Sequence, residues 1–137
     1  MGARFWISGV VTFVVIMMGG FLIHGTILHA DYEAQPNLMR TEADAQGHFH
    51  WMFVANLLMG FAFTWIYRQG REAGRPWLGQ GLRFGVALAC AFAIPMYLIY
   101  YVVQPWPGSI VVKQIAMESV MALVTGVVLA AINRDAK

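Results

Sequence analysis

Cysteine occurs once in the chain, at Cys90. A single thiol excludes an intrachain disulfide, a Cys-x-x-Cys redox pair and a zinc site built from cysteines, and leaves packing as its expected role. Charge is scarce as well: 12% of the residues are Asp, Glu, Lys or Arg, and the formal net charge is +2. So small an excess does not describe a nucleic-acid-binding surface, and no nucleic-acid partner is expected. A Ser–His–Asp arrangement, a His-Glu-x-x-His run and a glycine-rich phosphate loop are all missing, so the chain is not expected to be an enzyme. Internal repeats and low-complexity tracts are missing too.

What fills the chain is apolar: 59% of its 137 residues are hydrophobic, well above the share in an ordinary globular domain. This composition describes an integral membrane protein. A membrane-crossing helix needs roughly 20 apolar residues, so the length accommodates four spans with short connections. The expected architecture is all-α, a single four-helix transmembrane domain over residues 1–137, with spans near 5–29, 48–67, 82–103 and 110–132. The first span is too long an apolar run for a signal peptide, whose core is roughly 7–15 residues. Residues 30–47 form an acidic loop, in which Thr41-Glu-Ala-Asp44 resembles a capping box and predicts a short interfacial helix. In the third span, Pro95 predicts a kink over 91–95, and Gly81-Leu-Arg-Phe-Gly85 is a GxxxG pattern that permits close helix contact.

The cations are unevenly placed. Arg4, Arg68, Arg71, Arg75, Arg83, Arg134 and Lys137 fall on one side of the predicted spans, whereas the other side has Arg40, Lys113 and most of the acids. Positive loops stay in the cytoplasm, so both termini are expected inside (N-in/C-in) and the acidic loop outside.

Span four carries Lys113, Gln114 and Glu118 at membrane depth, where ionisable groups are rare and are candidates for function. On a helix, Gln114, Met117, Glu118, Met121 and Thr125 share one face, which is expected to look inward, while Val111, Ile115, Leu123 and Val127 look elsewhere. On span two, the face of His48, Met52, Asn56, Met59, Gly60 and Phe63 is its natural partner. Tyr97 and Tyr101, beyond the proline, supply hydroxyls for Glu118, and are safer partners than Lys113, whose spacing of five residues fits a direct pair poorly. The expected polar pocket is therefore His24, His48, Asn56, Tyr97, Tyr101, Lys113, Gln114 and Glu118. The four histidines, His24, His29, His48 and His50, lie near the same side; imidazoles suit transition metals and haem, but their spacing is no ligand signature, and His24 with His48 as its companion are the best metal candidates. Any cofactor is left unknown.

Three stretches carry a resemblance: Phe21-Leu-Ile-His-Gly25 with Asp31-Tyr; Pro76-Trp-Leu-Gly-Gln-Gly-Leu-Arg-Phe-Gly85; and Pro95-Met-Tyr-Leu-Ile-Tyr-Tyr101 through Gln104-Pro with Lys113-Gln. Over most of its length the chain resembles small bacterial four-span inner-membrane proteins of unassigned function. The resemblance implies a multi-pass protein of the bacterial inner (cytoplasmic) membrane and implies no activity. Small multidrug exporters also have four spans, but their essential glutamate lies in the first, where this chain has His24. The expected function is a non-enzymatic accessory or ligand-binding component of a larger membrane assembly, with lipid, other membrane subunits or further copies of itself as partners. Two alternatives stand beside it: a small proton- or cation-coupled transporter using Glu118, and a haem- or metal-binding protein using His24 and His48.

Overall fold

The computed structural model describes residues 2–134. Among them every regular element is helical: α1 (Ala3–Ile27), α2 (His29–Glu33), α3 (Glu42–Gly70), α4 (Trp77–Val103) and α5 (Gly108–Ile132). All but α2 are long and apolar enough to cross a membrane, so the chain fits a multi-pass helical bundle. Their outer surfaces are apolar in keeping with that: Leu58, Val102, Val103 and Val112 are among the most exposed side chains. In lipid such faces carry no hydrophobic penalty, and packing between spans comes from close contact.

α1 pairs with α3 and α4 pairs with α5, and the two pairs meet along α1 and α5, while α3 touches α5 only sparsely. Glycine makes both pairings close. A Cβ on Gly60 of α3 would stand 2.8 Å from the Gly9 carbonyl oxygen of α1. A Cβ on Gly85 would stand 2.6 Å from Leu123 Cα, and one on Gly126 would run into the Gly81 carbonyl oxygen. The Gly81–Gly85 pattern is thus a backbone-on-backbone seam between α4 and α5.

Two of the long helices contain a widened π turn, and each has a local setting. In α4 the turn is Ala89–Ala93, immediately ahead of Ile94 and Pro95. Pro95 has no N–H to give to Ala91 and its ring crowds that carbonyl, so the helix loosens one turn upstream. Cys90, for which packing was expected, lies in this turn and is exposed on the outer surface of the bundle. In α1 the turn is Ile23–Ile27, containing His24 and Gly25, and it closes with the Leu28 N–H donating to the Ile23 carbonyl at 2.8 Å. The chain then folds into the five residues of α2, which returns Tyr32 towards α1.

Thr41 accepts from the Asp44 N–H at 3.4 Å, the cap expected of it. No separate interfacial helix follows, since the capped turn runs without a break into the 29 residues of α3. Two buried clusters result. Phe63, Tyr67, Leu88, Leu129 and Ala130 fill the end where the arginines gather; Ile23, Leu28, Tyr32 and Ile110 fill the other, covered by Trp106, Met117 and Met121.

Candidate functional site

The polar site lies at the second of these ends. The inward face of α5 is the one its periodicity marked: Gln114 and Thr125 are buried, and Met117, Glu118 and Met121 are half-buried. Val111 departs from that reading, being buried at 4% exposure, while its neighbours Ile110 and Gln114 are covered by Tyr32 of the returning α2.

His24 is the centre of the site. Its Nε2 lies 2.8 Å from Glu118 Oε1, its Nδ1 lies 2.6 Å from the Tyr32 hydroxyl, and the Tyr97 hydroxyl is 3.3 Å from the same Nε2. Gln114 Nε2 donates to the Tyr32 oxygen at 3.1 Å. Donor and acceptor counting is satisfied by a neutral imidazole. With Gln114 occupying a lone pair of Tyr32, the Tyr32 O–H donates to Nδ1, and Nε2–H donates to Glu118. Burial pushes the Tyr32 hydroxyl above the ordinary phenol range, the Gln114 hydrogen bond opposes this, and the charges of Glu118 and Asp31 raise it further. Tyr32 therefore stays protonated. The Trp106 ring meets Tyr32 edge-on at 5.8 Å, held by its own Nε1–H donating to Gln104 Oε1 at 2.8 Å.

The structure brings together His24, Tyr97, Gln114 and Glu118 of the residues the sequence singled out, and it adds Tyr32. It does not bring the other four. Lys113 turns outward and binds both carboxylate oxygens of Asp31 at 2.8 and 2.9 Å. Tyr101 is exposed, with its hydroxyl beside Gly108; one turn past Tyr97 it stands about 6 Å further along the axis, past the level of His24. Asn56 is buried against α1 and donates to the Met52 carbonyl of its own helix at 2.7 Å. His48 lies on the exposed first turns of α3 and bonds the Asp44 carbonyl at 2.8 Å. The face of α3 expected to meet Glu118 packs instead on Gly9 and Phe13 of α1, so α1 supplies the partner.

Both ring nitrogens of His24 are engaged, and among the described residues no three His, Cys, Asp or Glu side chains converge as a metal site. Tyr32 was missed because α2 lies outside the spans, where periodicity carries no information. The available signal was an aromatic hydroxyl at a span exit, eight residues from a membrane histidine. In comparisons with known proteins, the chain matches no family model, no curated protein and no solved structure.

Proposed function

We propose that the chain is a non-enzymatic, multi-pass protein of the bacterial inner membrane, related to the small four-span proteins it resembles. Its termini face the cytoplasm, and its His24–Glu118 cluster is completed by a ligand or by a neighbouring subunit of a larger membrane assembly. The observation that carries the reading is incomplete cover. His24 and Glu118 are paired at 2.8 Å, yet their side chains remain 34% and 25% exposed in the isolated chain. Polar groups at membrane depth face protein, water or a bound group rather than lipid, so a partly uncovered hydrogen-bonded pair calls for something to cover it.

The test is gentle purification from the native membrane, with identification of co-purifying chains and native mass spectrometry of bound small molecules. A partner or ligand lost in His24→Ala and retained in Arg40→Gln is the expected result. A chain that purifies alone and empty refutes the reading. Reporters fused after Lys137 or within 70–74 should read as cytoplasmic, and one within 35–41 as external; the reverse would overturn the orientation.

A second reading, proton-coupled transport through Glu118, draws on the unbroken chain from Gln114 through Tyr32 and His24 to Glu118. Its signature is proton flux in vesicles that Glu118→Gln abolishes while the variant folds normally. Haem or metal binding, by contrast, requires His24 to give up Tyr32 or Glu118.

A further inference from the structure

Several cavities open at the end opposite the polar cluster. One, of about 190 Å³, lies in the crevice between α3 and α4 and is lined by Ile66, Tyr67, Phe84 and Ala87 below and by Arg71, Gln80 and Arg83 at its mouth. A second, of about 300 Å³, adjoins it through Gln80 and Arg83 and adds Glu72 and Arg75. The mouth is a built structure. Gln80 of α4 accepts from the Glu72 N–H at 2.6 Å and donates to the Arg75 carbonyl at 3.1 Å, which pins the loop over the crevice. Glu72 in turn holds Arg83 at 2.6 Å and Arg75 at 3.3 Å. One carboxylate thus faces two guanidiniums, and this side of the mouth carries a net positive charge above an apolar wall.

We propose that this crevice holds one anionic phospholipid, with its phosphate between Arg75 and Arg83 and an acyl chain against Ile66, Phe84 and Ala87. Two features select that occupant. Planar guanidiniums match phosphate oxygens in geometry and charge, and basic pockets between spans at the membrane surface recognise anionic headgroups. The apolar continuation matches a lipid tail and offers nothing to a free anion. Glu72 acts as the resident counter-ion that the phosphate displaces.

The test is native mass spectrometry of the whole chain in neutral detergent, supplied with phosphatidylglycerol, with phosphatidylcholine of the same chains, or with inorganic phosphate. One phosphatidylglycerol should be retained per chain, and Arg75→Gln and Arg83→Gln should each reduce retention about fivefold. Arg40→Gln, at the other end, should change nothing. Glu72→Gln should increase retention, because it frees both guanidiniums. Equal retention of the two lipids overturns the proposal, and so does displacement of the lipid by an equal concentration of inorganic phosphate. A Glu72→Gln variant that is folded by circular dichroism and retains less lipid shows a purely structural pair and also overturns it. Should Arg83→Gln fail to fold, Arg75→Gln carries the test, since its side chain is 71% exposed.

Discussion

The two ends of the bundle hold together by different means. At the arginine end, helices touch backbone to backbone through Gly81, Gly85 and Gly126, above a core of Phe63, Leu88, Leu129 and Ala130. The polar groups there close the helix termini. Asn133, 2% exposed at the end of α5, donates to Ser8 Oγ at 2.9 Å, accepts from Arg68 at 3.1 Å, and offers its carbonyl to Arg71. At the opposite end, side chains meet across the helices and the contacts are directional: His24, Tyr32, Gln114 and Glu118. Small residues give stability that tolerates no added volume, whereas the polar cluster tolerates volume but not a lost partner. Where a span can afford neither glycine nor polarity, lipid simply takes the surface.

The largest test of this contrast is Gly126→Val. Its Cβ would meet backbone atoms of Gly81 and Gly85, which cannot rotate away, so both helices must separate. The expected loss is about 3 kcal/mol or more, at the top of the range for overpacking, read from unfolding in mixed micelles. Gly20→Ala has nothing within 4 Å of the new methyl and should be near neutral; equal effects at both positions would remove the seam from the account.

Next comes the polar cluster. Glu118→Leu leaves His24 Nε2 without its carboxylate and should cost about 1–3 kcal/mol, with Glu118→Gln costing less because the amide oxygen still accepts. Tyr32→Phe should fall in the same range, since it strands both His24 Nδ1 and Gln114 Nε2. If Leu and Gln at 118 prove equivalent, the hydrogen bond to His24 contributes nothing and the contrast between the ends collapses.

Smaller effects follow with pH. The hydrogen bond from Arg83, reinforced by its charge, holds the Glu72 carboxyl below the ordinary glutamate range. A depressed carboxyl contributes stability above its unfolded value and loses it as the pH falls through its folded value. A modest weakening in acid, absent in Glu72→Gln, is expected from unfolding curves across pH 3–6. Tyr32 works in the other direction: a phenol raised by burial contributes stability below its unfolded value, about pH 10, and loses it as the pH climbs further. Tyr32→Phe should abolish that part of the alkaline loss. The smallest effect expected is Lys113→Gln, because its pair with Asp31 is about half open to the surroundings. Such pairs contribute roughly 0–1 kcal/mol.

The contrast also explains what could be read in advance. Four apolar runs long enough to span, and the inward face from Gln114 to Thr125, are properties of local spacing, and spacing is written in the chain. The partner of Glu118 is not. It depends on α1, rather than α3, lying against α5, and on the π turn at Ile23–Ile27 followed by a five-residue helix that returns Tyr32 to His24. A π turn alters the register of everything after it without altering the apolar pattern before it. Asn56 and His48 were placed by the same reasoning that placed Gln114, but Asn56 turned to its own helix backbone and His48 to the exposed turns of α3. Helical periodicity tells which residues share a face; it does not tell which helix that face meets.

The pairing of neighbours in sequence has one more consequence. α1 with α3, and α4 with α5, are each hairpins of adjacent segments, so each half can close soon after it enters the bilayer, when contacts are local and their search is short. What remains is the lateral meeting of two preformed halves along α1 and α5. His24 and Tyr32 arrive with the first half, Tyr97, Gln114 and Glu118 with the second. Within the first half His24 meets only Tyr32; the bonds from His24 to Glu118 and from Gln114 to Tyr32 form when the halves come together, and they are a record that the two have met in register.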